Sequence, residues 1–422
     1  MASSMTISAR GVAFAEKRPL FFDVLENLWH PESNPDGIVN LGLAENALLH
    51  PELVDFINSQ RLDGPHALTY GDGFSGSKSL HKALCRFLNR QFRPRVLLEP
   101  SAMVVTAGAS NAVECCAWSL FESGDYVLIG RPYWTIFQHL FGTRAGVNVL
   151  EVSFGSINPF GTEASELYDQ ACIRARDEGK RVKGILLCSP NNPLGQCYPR
   201  EVLESVMKVC RKHNLHLISD EIYGLSTWDN PQMEHGVGFT SALSLEVEKL
   251  MDPSMVHVVW GMSKDFGATG LRIGCLISQG NPALLASAEG ISSPKVIQFP
   301  IQFSRQGTTA LLMNDEYVDN LVALNRHRLA ESYRYVTEFL RGHQIPFRKS
   351  NAALFVWINL AAAVPSPCRS DDEILAKLRA KKVYITSGQT YASEEAGWFR
   401  LVIAHPREVL EEGLRRMILS FE

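Results

Sequence analysis

"GMSKDFGATGLRIG", residues 261–274, sets Lys264 among small residues directly after the apolar run "VHVVW" and follows it eight positions later with Arg272. A lysine becomes a nucleophile toward carbonyls once desolvation or a neighbouring cation lowers its pKa. An ordinary surface lysine in a glycine-rich turn is the alternative, so the decision rests on what else the chain brings to the ends of its strands.

Upstream, "AMVVTAGAS" reads as a strand entering a small-residue turn, "NAVECCAWSLF" as a helix and "DYVLIG" as the next strand. "GILLCS" and "LHLIS" are further strands, separated by the helix "PREVLESVMKVCRKHN" with Val202, Leu203, Val206, Met207 and Cys210 on one stripe. This alternation predicts the α/β class, with a mostly parallel central sheet covered on both faces. After about residue 310 a long helical stretch, "NDEYVDNLVALNRHRLAESYRYVTEFLRGHQ", leads to "AALFVWINL", "SDDEILAKLRAKK" and "GWFRLVIA", material for a smaller α+β domain. The expected organisation is an N-terminal segment, 1–55, packing with the small domain, a large domain, 56–308, and the small domain, 309–422.

Ligands of open parallel sheets collect beyond the C-terminal strand ends, and each predicted strand delivers a polar cluster there. In "TAGAS", Gly108, Ala109 and Ser110 open a helix whose free N–H groups and dipole suit a phosphate, although a structural turn reads the same way. "SPNNPLG" offers Asn192 in a proline-stiffened loop. "SDEIYG" puts Asp220 and Tyr223 after an apolar strand, where a carboxylate is costly unless a cation or donor meets it. "GDGFSG", residues 71–76, fits G-x-G-x-x-G, but it lacks the preceding strand and the later acid of a dinucleotide site and reads as a glycine turn. An anion cradle, an asparagine loop, an aspartate with a tyrosine, then lysine and arginine together fit pyridoxal 5'-phosphate. Its aldehyde needs the lysine, its phosphate the N–H groups and Arg272, and its ring nitrogen the carboxylate. Its phenolic oxygen needs donors such as Asn192 and Tyr223, and its flat face an aromatic such as Trp134.

Composition narrows the classes. A net charge of −4, with 45 acidic and 41 basic residues, carries no polyanion-binding signal, so no nucleic acid partner is expected. No segment reaches the roughly 18 to 20 apolar residues of a membrane span, and the N-terminus lacks the apolar core of a signal peptide. Nine cysteines without a CxxC, Cys115 and Cys116 adjacent, predict reduced thiols, no disulfide and no metal, hence a soluble cytoplasmic protein.

On these motifs the chain resembles the fold-type I pyridoxal phosphate enzymes of aminotransferase class I/II over nearly its whole length. The resemblance implies a Schiff-base lysine at Lys264 and a ring-nitrogen aspartate at Asp220. It implies phenolate contacts from Tyr223 and Asn192, and phosphate contacts from Gly108, Ala109, Ser110, Ser263 and Arg272. Arg400 in "GWFRLVIA" matches the arginine that grips a substrate α-carboxylate. Within the group the chain is most similar to the 1-aminocyclopropane-1-carboxylate synthases, through "NPDGIVNLGLAEN", "SKDFGATGLRIG" and "EEAGWFRLVIAHP". That likeness makes Glu45 the contact for the sulfonium of S-adenosylmethionine, with Ala44 beside it in the substrate pocket. It also implies a homodimer in which a tyrosine of the loop "YGDGFSGS" reaches the partner subunit's cofactor. The chain has Phe74 at that position and Tyr70 nearby, Gly261 where a serine is usual, and "PYWTIF" around the stacking residue Trp134.

The expected reaction is α-deprotonation by Lys264 and cleavage of the Cγ–S bond with release of methylthioadenosine, then cyclisation or γ-replacement. The alternatives are amino transfer between an amino acid and a 2-oxo acid, and a regulatory protein that keeps the cofactor without turnover.

Overall fold

The structure is a computed structural model; it describes residues 7–15, 21–60, 65, 72, 77–296, 307–364 and 370–422. Its strands are β1 (Val39–Asn40), β2 (Met103–Thr106), β3 (Tyr126–Gly130), β4 (Asn148–Val152), β5 (Val182–Cys188), β6 (His216–Asp220) and β7 (Val256–Gly261). They continue with β8 (Gly274–Ile277), β9 (Phe347–Arg348), β10 (Phe355–Asn359), β11 (Val383–Tyr384), β12 (Thr386–Ser387) and β13 (Trp398–Val402).

Seven strands form one sheet in the order β2-β8-β7-β6-β5-β3-β4. The pairs β7–β6, β6–β5, β5–β3 and β3–β4 are parallel, and β8 runs antiparallel to both of its neighbours. The strands are apolar almost throughout because both faces are covered. Helices Lys78–Gln91, Ala164–Asp177 and Arg200–His213 pack on one face through Phe87, Tyr168, Val206 and Met207. Helices Ala109–Leu120 and Ile136–Gly142 pack on the other through Ala112, Cys116, Phe137 and Phe141. The stripe predicted on residues 200–213 is buried, and Val209 joins it.

The antiparallel sheet β12-β13-β10-β9 backs onto helices Asp315–Gly342, Asp371–Ala380 and Arg407–Leu419 around Leu329, Phe355, Phe399 and Leu414. The N-terminal β1 pairs in parallel with β11, Val39 opposite Val383, and Val402 N donates to Leu41 O at 2.9 Å. That pairing carries residues 42–46 across to the C-terminal ends of β5, β6 and β7. The fold is the α/β architecture anticipated for pyridoxal phosphate enzymes of fold type I.

At the opposite ends of β6 and β7, His216 Nδ1 meets His257 Nε2 at 3.0 Å, and His257 Nδ1 meets Ser278 Oγ at 2.9 Å. Burial, reinforced by His216, pushes His257 down to about 3. An unfolded histidine titrates near 6.5. Because the folded value is depressed, this histidine's contribution to stability is complete above that pH and is lost as pH falls toward 3. The slope reaches about 1.4 kcal/mol per pH unit. His257→Gln, which keeps hydrogen bonding but cannot titrate, is expected to flatten the loss of stability between pH 6.5 and 4. Denaturant midpoints measured across that range check it, and an unchanged slope counts against it.

Candidate active site

The strand ends meet in a cavity of about 280 Å³. Its walls include Ala44, Ala109, Ser110, Trp134, Asn192, Asp220, Tyr223, Ser263, Lys264, Arg272 and Arg400. Residues spread over more than 350 positions of sequence are thus brought to one space. Gly108 does not line the cavity but caps the helix that does, with φ +82. Ala109 and Ser110 lie inside the first turn of that helix rather than in a preceding turn, and the first N–H groups of a helix have no intrahelical acceptor. Glu45 lies beside the cavity, not among its lining residues, and Tyr70 and Phe74 fall outside the described residues.

Lys264 is carried on the single helical turn Met262–Asp265 that follows β7, so its side chain enters the cavity instead of facing solvent. Its Nζ donates to the Ala44 carbonyl at 2.5 Å. Burial pushes the amine down to about 8; the nearby Arg400 and Arg272 act in the same direction, while Glu45 and Asp220 oppose it.

Asp220 ends β6, in register with Cys188 of β5. Its Oδ1 accepts the Ile222 N–H at 3.2 Å, and burial raises its carboxyl to about 7 against that hydrogen bond and the charge of Lys264. Tyr223 stands edge-on to Phe355, ring centroids 5.5 Å apart, and burial raises its phenol. Arg272 has a left-handed backbone, φ +53, which costs about 1 kcal/mol or more in a non-glycine residue. That conformation lets its guanidinium donate to Thr269 O at 2.9 Å and Ala107 O at 3.1 Å, beside Gly108.

Arg400, on β13, is buried between the rings of Phe355 and Tyr391, 4.7 and 4.9 Å from their centroids. It donates to Asn192 Oδ1 at 2.9 Å and Gly42 O at 2.6 Å, while its buried Nε has no partner among the described residues. Sequence reading overlooked Cys188, Thr269, Leu43, Val113, Phe137, Leu140 and Ile222, which also line the cavity. Cys188 and Thr269 carried a signal, one ending a buried strand and the other lying inside the lysine motif. The ring clamp from Phe355 and Tyr391 had none.

The family described as aminotransferase class I and II matches residues 38–417. The chain belongs to this family. It is 35% identical over 390 residues to the probable aminotransferase aclI of Aspergillus oryzae, covering 90% of each chain. To the 1-aminocyclopropane-1-carboxylate synthase of Glycine max it is 29% identical, over 94% of this chain and 82% of the relative. A single mutant of Thermus thermophilus aspartate aminotransferase superposes with a TM-score of 0.78 at 23% identity, covering 99% of this chain and all of the neighbour, a likeness of fold.

Pyridoxal 5'-phosphate is therefore the cofactor of this class I/II enzyme, and the residues present fit it. The amine with its lowered pKa, the buried carboxyl and an arginine beside free helix N–H groups match an aldehyde, a pyridine nitrogen and a phosphate. The cradle at Gly108 is tight: a Cβ there would stand 2.5 Å from Arg272 Nη2. Gly108→Ala would both strain a φ of +82 and displace the guanidinium. The variant is expected to fold and to bind pyridoxal phosphate at least tenfold more weakly in an absorbance titration. Wild-type affinity would show that the turn does not hold the phosphate.

Proposed function

We propose that the enzyme acts on S-adenosylmethionine, breaking its Cγ–S bond with release of methylthioadenosine and closing or substituting the remaining four-carbon amino acid. Carrying this reading is the carboxylate of Glu45, delivered by the N-terminal segment close enough to raise the pKa of Lys264, where a sulfonium would find its counter-charge. The 29% identical synthase of Glycine max supports it. The cofactor supplies an electron sink for charge developing at the substrate α-carbon.

The chain's own residues divide the remaining work. Arg400, held flat by Phe355 and Tyr391 and steadied by Asn192, takes the α-carboxylate. Lys264 holds the cofactor and then, as a free amine, removes the α-proton; a value near 8 keeps a useful neutral fraction at physiological pH. Asp220 keeps the ring nitrogen protonated, and Tyr223 and Asn192 hold the phenolic oxygen. Gly108, Ala109, Ser110, Ser263 and Arg272 hold the phosphate, Trp134 covers the ring, and the enzyme works as a homodimer. Ala44 borders the substrate beside Glu45. Reduced, buried thiols at eight described cysteines suit a cytoplasmic protein.

Amino transfer is the second reading, favoured by the printed name of the 35% identical Aspergillus oryzae relative and by the apolar wall of Val113, Phe137 and Leu140. S-adenosylmethionine supplied alone is expected to give methylthioadenosine, and Glu45→Gln to lower kcat/KM for it at least tenfold. Lys264→Ala is expected to abolish turnover. Glutamate formed from an amino acid and 2-oxoglutarate, with no methylthioadenosine from S-adenosylmethionine, decides for amino transfer.

A further inference from the structure

Behind the lysine lies a buried polar chain that none of the roles above uses. Asn46 Nδ2 donates to the Lys264 carbonyl at 3.0 Å and to Asn325 Oδ1 at 2.9 Å, and Asn46 Oδ1 accepts the Leu48 N–H at 3.1 Å. Asn325, on helix Asp315–Gly342, donates through Nδ2 to the Asp265 carbonyl at 3.3 Å and to Ser226 Oγ at 3.4 Å. Ser226 Oγ in turn donates to Asp265 Oδ1 at 2.7 Å, and Asp265 Oδ2 accepts Trp260 Nε1 at 3.0 Å and Leu225 N at 3.2 Å. Asn46, Ser226, Asp265 and Asn325 are each no more than 1% exposed.

The hydrogen-bonding capacity of the two amides is closely matched. Asn46 spends both amide hydrogens and its oxygen, and so does Asn325, which fixes which way each side chain points. The backbone beside it is also closely packed: a Cβ on Gly267, at φ +67, would fall 2.1 Å from the Asn46 main-chain oxygen. The carbonyls of Lys264 and Asp265 are therefore tied, through Asn46 and Asn325, to the N-terminal segment and the helix Asp315–Gly342. Two residues before Asn46, Ala44 accepts the lysine amine itself.

We propose that Asn325 is a positioning residue for Lys264, acting through Asn46 to hold the segment Ala44–Asn46 over the reactive amine. The segment is gripped at the lysine's main chain by Asn46 and meets its side chain through Ala44, so its distance from the amine is set by the asparagine pair. Releasing it admits water to a nitrogen that also faces Arg400, Arg272, Glu45 and Asp220. Solvation favours the protonated form.

This inference rests on Lys264 bonding the cofactor. The experiment follows the visible absorbance of the pyridoxal phosphate-loaded enzyme against pH without substrate, for wild type, Asn325→Leu, Asn46→Ala and the double variant. Circular dichroism and cofactor content confirm that each is folded and loaded, and Asn325→Ser takes the same measurement where the leucine variant does not fold. The expected result is a midpoint raised by at least half a pH unit in each single variant, with no further rise in the double variant. An unchanged or lowered midpoint in the loaded Asn325 variant, or fully additive shifts, overturns the proposal. Lys264→Ala separates the two levels: a lysine-type absorbance surviving there refutes the lysine assignment, whereas its loss beside an unmoved Asn325 variant refutes only the positioning role.

Discussion

The contact between the Lys264 amine and the Ala44 carbonyl ties together three parts of the chain that have no local reason to meet. The amine comes from the end of β7, the carbonyl from the N-terminal segment, and β1, which sets that segment's path, is paired with β11. Bringing an amine into such a space disfavours its charged form. The fall from 10.5 to about 8 corresponds to about 3 kcal/mol of shifted preference toward the neutral base. That destabilisation is useful, since a neutral amine is what attacks a carbonyl or removes a proton.

Asp220 mirrors the lysine. Burial raises it to about 7, so in both groups burial shifts the balance toward the neutral form. With the cofactor bound, Asp220 would meet the cation of a ring nitrogen and Arg272 the anion of a phosphate, and both would then be paired. Arg400 follows a different solution. Its guanidinium is kept in place by two aromatic faces and by oxygens of Asn192 and Gly42.

Most of this was legible because the fold repeats one rule. A buried parallel strand announces itself as an apolar run, and the polar residues just beyond its C-terminal end are the ones that reach the cavity. Ser110, Asn192, Asp220 and Lys264 are all found that way. Arg400 lies on an antiparallel strand, where alternation makes any arginine look like an outward-facing residue, and only resemblance singled it out. Phe355 and Tyr391 gave no signal, because aromatics beside a guanidinium read as core in one dimension. The asparagine pair was equally silent: positions 46 and 325 lie 279 residues apart, and an asparagine in a long helix ordinarily reads as a surface residue.

Glu45 gives the substrate question a physical form. Its charge raises the pKa of Lys264, working against the burial that makes the amine a base. A neutral, apolar substrate side chain leaves that opposition in place or, by excluding water, strengthens it. A sulfonium next to Glu45 would cancel the carboxylate's field at the lysine and add a repulsive cation of its own. Binding such a substrate would shift the amine further toward the free base at the moment a proton has to be removed. The same carboxylate would then serve affinity and proton transfer together, which an apolar amino acid could not draw from it.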